Sequence, residues 1–245
     1  MISSKEQIID YFKSGTKKNK NFKIGIEHEK FLFNNKDNKR INYSKVKEMF
    51  SGLLEFGWNP ILEKSNIIGL NKGGKNITLE PGNQIELSGD KLNHIHETCA
   101  ESQDYLFELR QVTKKLGINI VSSGFDPISK LNEIPNNPKQ RYKLMSKDMP
   151  LGGELSLDMM YRTCGTQVNI DYSSEKDFIK KFRIINSIVP ILIALFANSS
   201  IIEKKNSNYL SYRSKVWQNT SRGGLPKIFL EELNFEKYAE FVINF

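Results

Sequence analysis

Two glutamates lie two residues apart in a segment that favours a β-strand. Glu27 and Glu29 fall between Phe22 and Phe33, where β-branched and aromatic residues are frequent. Side chains two residues apart on a strand project from the same face, with backbones roughly 7 Å apart. Both carboxylates can therefore converge on a cation, and carboxylates are ligands that Mg²⁺ prefers. The same spacing also fits a solvent-facing strand edge, so the pair alone leaves both interpretations open.

A second acidic segment surrounds a turn. Glu80 directly precedes Pro81-Gly82, a pair typical of a turn because proline presets φ and glycine accepts positive φ. Glu86 follows in a predicted strand over Gln84–Ser88, in which polar and apolar residues alternate. One face of that strand is apolar and the other carries the carboxylate. Glu80 as a polar turn residue and Glu86 as an exposed strand position remain the plain alternatives.

Two amides and an arginine occur together further along the chain. Gln167 and Asn169 share one face of a predicted strand over Gly165–Asp171, and their amides can meet a phosphate, a carboxylate or a metal-bound water. Arg162 lies just before that strand. Its planar guanidinium suits either a structural ion pair or a bound carboxylate.

A fourth segment brings positive charge to a glycine-rich loop. Arg213, Lys215 and Arg222 lie near Gly223-Gly224, where the backbone can approach an anion closely. For each arginine, a surface salt bridge is the alternative to an anion-binding role.

The elements that must position these residues mix strands and helices without a strict βαβ alternation. This pattern favours an α+β fold with a mostly antiparallel sheet. Besides the strands already named, we predict strands at 67–70, 77–79, 118–122 and 155–160. We predict helices at 44–56, 90–117, 174–197 and 231–244, the third of them bent at Pro190, and a long loop at 126–149 with one helical turn near 140–145.

Composition argues against several classes of protein. The formal net charge is +8, but the lysines are scattered and no basic helix or aromatic stacking platform stands out, so nucleic-acid binding is disfavoured. Cys99 and Cys164 form neither a disulfide framework nor a zinc pattern. The longest apolar run, Ile188–Ala197, is too short to span a bilayer, and no signal-peptide pattern begins the chain. We therefore expect a cytoplasmic protein that binds neither nucleic acid nor membrane.

Taken together, the segments resemble the plant and proteobacterial branch of glutamate–cysteine ligases. The matching motifs occur in the family's order: GIEHEKF at 25–31, ITLEPGNQIELSG at 77–89, ETCAE at 97–101, LDMMYRTC at 157–164, QVNID at 167–171, LFANS at 195–199 and YRSKVW at 212–217. The resemblance implies a glutamine-synthetase-like catalytic fold, with flanking helices and an antiparallel sheet curved around the active site. It also implies ATP- and Mg²⁺-dependent ligation of the γ-carboxylate of L-glutamate to the amine of L-cysteine through γ-glutamyl phosphate, the first step toward glutathione.

The same resemblance implies roles for individual residues. The metal ligands would be Glu27, Glu29, Glu80 and Glu86. Arg213 would hold the glutamate carboxylate, and Arg162 would assist with substrate or phosphate. The remaining substrate- or nucleotide-binding positions would be Gln167, Asn169, Trp217 and Arg222.

The chain departs from the family pattern in places. Relatives usually carry threonine where this chain has Gly165 and valine where it has Thr166, and they continue well past the position of Phe245. We therefore expect one catalytic domain over 1–245 that is incomplete relative to the family, and either self-association or a second polypeptide that supplies the rest. Two other functions stay open at this point: a carboxylate–amine ligase with another acceptor, and a non-catalytic remnant that binds Mg·ATP or glutamate.

Overall fold

A seven-stranded sheet forms the centre of the computed structural model, which describes residues 3–221, 223–224, 228 and 231–244. The strands of this sheet are β1 (Ile24–Asn34), β2 (Asn59–Glu63), β3 (Asn66–Lys72), β4 (Lys75–Leu79), β5 (Ile85–Ser88), β6 (Ile118–Val121) and β7 (Thr166–Ile170). Their order is β2-β3-β4-β5-β1-β6, and β7 also pairs with β1. Every pairing in the sheet is antiparallel. The long strand β1 therefore pairs with three other strands, β5, β6 and β7.

Helices flank this sheet and continue beyond it. They are α1 (Lys5–Ser14), α2 (Tyr43–Leu53), α3 (Ile95–Leu116), α4 (Gln140–Asp148), α5 (Ser156–Arg162), α6 (Glu175–Phe196), α7 (Tyr212–Gln218) and α8 (Phe235–Asn244). A short hairpin of β8 (Ile201–Ile202) and β9 (Lys205–Asn206) lies between α6 and α7. Helices combined with an antiparallel sheet confirm the predicted α+β class.

The main core lies between one face of the sheet and helices α2 and α3. Leu32, Ile77 and Leu87 supply fully buried side chains from three strands, and Phe50 and Leu109 supply them from the two helices. Because successive side chains of a strand point to opposite faces, the residues that alternate with these project away from the core. The free face of β1, β4 and β5 is therefore where the polar residues of these strands collect.

The segment predicted as a strand at 155–160 is a helix, which corrects the sequence-based prediction. Short apolar runs of this kind do not distinguish the two structures. In the fold, Met160 and Tyr161 pack against Ile134 and Tyr142, and the Asp158 carboxylate pairs with the Arg162 guanidinium at 2.7 Å. A pair four residues apart is a helical spacing, so the sequence did contain a signal for the helix.

Other predicted elements differ mainly in extent. The helix predicted from 90 begins at Ile95, because Leu92 first bridges to Ile24 of β1, and the helix predicted from 231 begins at Phe235. The predicted loop at 126–149 contains the whole of α4, a nine-residue helix, instead of one turn. Strand β2 was not predicted at all. Pro190 lies inside α6, which continues to Phe196.

Helix α6 contrasts with the helices of the core. It begins at an N-cap, Ser174, whose hydroxyl accepts a hydrogen bond from the Asp177 backbone N–H. None of its 22 residues is buried. Over the described part of the chain, no helix combines the length and apolar character needed to cross a membrane.

Candidate functional site

Three glutamates converge on the free face of the sheet. Glu29 of β1 and Glu86 of β5 are directly opposite each other in the antiparallel register, and Glu80 lies in the turn that joins β4 to β5. One carboxylate oxygen from each residue lies within 4.8 Å of those of the other two. The two acidic segments recognised separately in the sequence therefore form one cluster.

Each of these carboxylates is held by a hydrogen-bond donor. The Gly165 backbone N–H donates to Glu29 Oε2, and the Ser88 hydroxyl donates to Glu86 Oε1 at 2.8 Å. Two hydroxyls serve Glu80: Thr78 Oγ1 donates to Oε1 at 3.1 Å, and Tyr142 O–H donates to Oε2 at 2.8 Å. These donors fix the orientation of the oxygens and leave lone pairs free toward the centre of the cluster.

Burial and mutual repulsion destabilise the charged forms of the clustered carboxylates. Burial raises the pKa of Glu29 to about 7, and the neighbouring carboxylates of Glu86 and Glu80 add to this shift. Burial also raises the pKa of Glu86, with Glu80 and Glu27 contributing. A bound cation would relieve both the burial cost and the repulsion. Three half-buried carboxylates with oxygens at this spacing fit a hard divalent cation such as Mg²⁺.

Glu27 lies beside the cluster, outside the three-residue set. It faces Gln167 across the β1–β7 pairing, and Asn169 Nδ2 donates to Glu27 Oε1 at 3.1 Å. Gln167 Nε2 in turn donates to Asn169 Oδ1 at 3.1 Å. Half-buried Glu27 and exposed Gln167 and Asn169 therefore form a polar row that continues from the glutamate cluster along β1 and β7.

A cavity of about 440 Å³ opens in front of the glutamate cluster. Its other walls come from the β4–β5 turn, α4, α5 and α7. It is lined by Glu29, Thr78, Glu80, Pro81, Gln84, Glu86, Lys139, Arg141, Tyr142, Met145, Met159, Met160, Thr163, Arg213 and Trp217. Sequence reasoning missed Lys139, Arg141 and Tyr142, because they lie in the segment predicted as a loop. The two basic residues at 139 and 141 were the one feature of this segment that could have indicated an anion-binding role.

Arg213 and Trp217 form the wall opposite the glutamates. Both lie on α7, and the guanidinium carbon of Arg213 is 5.4 Å from the centre of the Trp217 ring. Arg213 Nε and Trp217 Nε1 are buried without a hydrogen-bond partner in the described part of the chain. Burial lowers the pKa of Arg213, and the nearby Glu29 carboxylate opposes that shift. Two unpaired donors at one cavity wall are suited to bind an anionic group.

Arg162 has a different environment. Its guanidinium pairs with Asp158 at 2.7 Å and Glu203 at 3.4 Å and lies over the Phe125 ring at 4.6 Å. It is buried and does not line the cavity in front of the glutamates. The structure thus shows a structural ion pair, and a role in substrate or phosphate binding stays a prediction. Arg222, also predicted to bind substrate or nucleotide, lies outside the described residues.

Buried polar contacts hold the turn that carries Glu80 and leads into the strand of Glu86. Arg40 and Asp126 form a fully buried ion pair at 3.0 Å, and Arg40 also donates to the Gly82 carbonyl. Gln84 Nε2 donates to the Tyr161 carbonyl at 3.1 Å, while Gln84 Oε1 accepts from the Gly82 N–H at 2.8 Å. These long-range contacts leave no local pattern in the sequence, which is why the sequence did not single out Arg40 and Asp126.

Comparisons with known proteins point to one family. A sequence model described as glutamate–cysteine ligase family 2 matches residues 23–244. Glutamate–cysteine ligase A, chloroplastic, from Oryza sativa subsp. japonica is 43% identical over 245 residues, which covers 98% of this chain and 50% of the relative. The chloroplastic glutamate–cysteine ligases of Medicago truncatula and Arabidopsis thaliana are each 42% identical, with 98% of this chain and 48% and 47% of the relatives covered. The chain spans about half the length of these curated relatives.

Proposed function

This chain belongs to glutamate–cysteine ligase family 2, and from that premise we propose that its cavity serves the ATP- and Mg²⁺-dependent joining of L-glutamate to L-cysteine. The γ-carboxylate of glutamate would take the γ-phosphoryl group of ATP, and the amine of cysteine would then displace phosphate. The product, γ-glutamylcysteine, is the first intermediate toward glutathione. The observation that carries this proposal is one cavity lined both by Glu29, Glu80 and Glu86 and by Arg213, whose Nε has no hydrogen-bond partner among the described residues.

The three glutamates would hold Mg²⁺, with Glu27 as a further ligand beside them. Their half-buried oxygens and the raised pKa of Glu29 support a site that is completed by cations. Held by these glutamates, Mg²⁺ would supply the positive charge that lowers the repulsion between the glutamate carboxylate and the phosphates of ATP. Strands β1 and β5 and the hydrogen-bond donors described above would orient the carboxylates before substrate binds.

Arg213 would bind a carboxylate of glutamate. Its guanidinium offers several donors in a planar fork, and in the described residues no acidic side chain lies within 4.0 Å of it to use them. Trp217 supports the guanidinium by stacking and offers its own unpaired N–H. Lys139 and Arg141 add positive charge on the α4 side of the same cavity, which suits anionic substrates.

The remaining assignments extend from this centre. Gln167 and Asn169 would face the metal-bound nucleotide, since they form the polar row with Glu27. Arg162, the last residue of α5, would assist with substrate or phosphate, and Arg222, which lies outside the described residues, would bind substrate or nucleotide. A glutamine-synthetase-like sheet is the proposed fold type, supported by the antiparallel strands that carry carboxylates on one face.

The proposal extends to turnover by the chain, its partners, its location and its acceptor. Because the chain spans about half the length of its relatives, turnover by these residues is itself a proposal, as is a second polypeptide or a second copy that takes part. The cytoplasmic location expected from the sequence stays a prediction, and the relatives compared here are chloroplastic proteins by name. Another acceptor amine remains the alternative, because none of the contacts around the three glutamates identifies the acceptor.

Binding of Mg·ATP to the purified chain tests the metal assignment. Glu86→Gln removes one negative charge from the cluster and keeps the size of the side chain. We expect it to weaken Mg·ATP binding by at least about 10-fold, since second-shell changes alone cost 10- to 100-fold at metal sites. Glu48→Gln on α2 is the matched control, because Glu48 is exposed and pairs with Lys45 at the surface. Calorimetry that gives equal affinities for wild type and Glu86→Gln would remove the metal assignment.

A further inference from the structure

Glu80 differs from the other two glutamates in how the fold holds it. Glu29 and Glu86 lie within paired strands, whereas Glu80 follows the last residue of β4 and lies outside the ladder. A residue in a turn needs other contacts to hold its side chain within the tolerance of a metal site. The contacts of Glu80 are therefore informative about how the third carboxylate is placed.

The segment around α4 supplies two of these contacts. Asn137 Nδ2 donates to the Glu80 carbonyl at 2.7 Å and to the Pro81 carbonyl at 3.0 Å, which fixes the backbone of the turn. Tyr142 O–H donates to Glu80 Oε2 at 2.8 Å, which fixes one oxygen of the carboxylate. Both contacts cross more than 50 positions of the chain. The α4 segment thus contacts the backbone of the turn through Asn137 and the carboxylate of Glu80 through the Tyr142 hydroxyl.

Lys139 sets the direction of that hydroxyl. Its ammonium donates to the Leu79 carbonyl at 2.8 Å and to the Tyr142 oxygen at 3.3 Å. Because an ammonium only donates, the Tyr142 oxygen accepts there, and its own hydrogen is left for Glu80. A chain of donors therefore runs from Lys139 through Tyr142 to Glu80. The group that donates to the Glu80 carboxylate is therefore the neutral Tyr142 hydroxyl, and the charged Lys139 ammonium donates to Tyr142 instead.

We propose that Tyr142 is a positioning residue of the glutamate cluster: its hydroxyl holds the Glu80 carboxylate in the orientation in which it ligates a divalent cation. This inference rests on the proposed function and adds a residue that belongs to neither acidic segment. Tyr142 touches the carboxylate and not the cation, so it acts through Glu80. A neutral hydrogen bond orients the oxygen without competing with a cation for the remaining lone pairs.

Direct titration with Mn²⁺, a spectroscopically visible divalent cation, tests the proposal without any turnover. We expect Tyr142→Phe to weaken Mn²⁺ binding by about 10-fold, the lower end of the range for outer-shell partners. Tyr161→Phe is the matched control. Tyr161 packs in the same apolar cluster and loses a hydroxyl bond of the same length, 2.8 Å to Asn136 Oδ1, without touching a glutamate of the site. Tyr161→Phe should bind Mn²⁺ as wild type does.

A double-variant cycle separates positioning from general destabilisation. In a Glu80→Ala background the hydroxyl has no carboxylate to orient, so Tyr142→Phe should cause no further loss of Mn²⁺ affinity. Circular dichroism fixes a temperature at which every variant is folded, and all affinities are compared there. The proposal is overturned if Tyr142→Phe binds Mn²⁺ like wild type while Glu86→Gln has lost binding, or if Tyr142→Phe weakens binding equally with and without Glu80. Undiminished binding by Glu86→Gln itself would instead overturn the metal site and this inference with it.

Discussion

Gly165 lies between the two charged walls of the cavity. A Cβ placed at this residue would be 3.1 Å from Arg213 Nη2 and 3.6 Å from Glu29 Oε2. The first distance is tighter than an ordinary contact, so a methyl group there would push the guanidinium away. The Gly165 N–H that donates to Glu29 would be unchanged by such a substitution. Gly165 therefore controls the space available to Arg213 separately from the placement of Glu29.

We predict that Gly165→Ala weakens glutamate binding by about 10-fold, because displacement of a positioned group by 1 Å costs on the order of 100-fold and this shift is smaller. Binding of Mn²⁺ should stay close to wild type, since the glutamate cluster keeps its donors. Glutamate titration in the presence of Mg·ATP measures the effect. Gly25→Ala is the control, because its Cβ would meet Asn169 Cβ at an ordinary 3.7 Å.

The same titration includes Arg213→Lys, which loses the bidentate fork. If Arg213→Lys weakens glutamate binding and Gly165→Ala does not, Gly165 has no influence on the guanidinium. If neither variant changes glutamate binding, or if Arg213→Lys weakens ATP binding equally, Arg213 is not the carboxylate-binding residue.

The raised pKa of Glu29 predicts a pH dependence of the metal-free protein. Burial moves this pKa from 4.5 to about 7, so the folded state favours the protonated carboxyl. The resulting contribution to stability is fully present below pH 4.5 and is lost as the pH rises through about 7. We expect the Tm in the presence of a chelator to fall over this window, and Mg²⁺ to offset part of the fall. A Tm profile of Glu29→Gln with the same slope as wild type would contradict the assignment.

At the scale of elements, the sequence correctly predicted the strands and helices whose structure follows from the local pattern of apolar and polar residues. Strands β1 and β5 were recognised from β-branched residues and alternation, and these two strands bring Glu29 and Glu86 together. Helix α5 was mistaken for a strand, because its short apolar run acquires its structure by packing against Ile134 and Tyr142. The α4 wall was missed for a related reason: its contacts to Glu80 join residues far apart in the sequence.

The buried contacts that hold the β4–β5 turn could not be predicted from the sequence. Asp126 accepts from Arg40 at 3.0 Å and from the Ile128 and Ser129 backbone N–H groups at 2.8 Å each, and Arg40 reaches on to the Gly82 carbonyl. The ion pair is fully buried, so neither charge has water as an alternative partner. The turn is therefore tied to the loop after β6 through one buried salt bridge.

We predict that Arg40→Met lowers the free energy of unfolding by about 3–5 kcal/mol, because it leaves the Asp126 charge buried and unpaired. The double variant Arg40→Met/Asp126→Asn should recover part of this loss, since an amide still accepts from the two backbone N–H groups without a charge. Urea unfolding of both variants and of wild type measures the difference. Equal stability of single and double variants would show that the unpaired charge is not the cause.

At the scale of the whole molecule, apolar side chains concentrate on α6. Ile191, Leu195 and Phe196 are 59%, 70% and 74% exposed, and five other isoleucine and leucine residues of this helix are also exposed. Val168 and Ile170 of β7, the strand that precedes α6 in the chain, are exposed as well. Contiguous apolar patches larger than a few hundred Å² are rare on monomeric soluble proteins. This surface distinguishes α6 from α2 and α3, whose apolar faces are covered.

We predict that the purified 245-residue chain self-associates through α6, because association removes this apolar surface from water. Ile191→Lys/Leu195→Lys places two charges one helical turn apart on the exposed face and should shift the protein toward monomer. Sedimentation velocity over a concentration series measures the shift. Leu62→Lys/Leu151→Lys is the matched control, since these leucines are 57% and 86% exposed but lie on β2 and before α5. A wild-type chain that stays monomeric at every concentration, or a control that dissociates the oligomer as well as the α6 variant does, would exclude α6 as the associating surface.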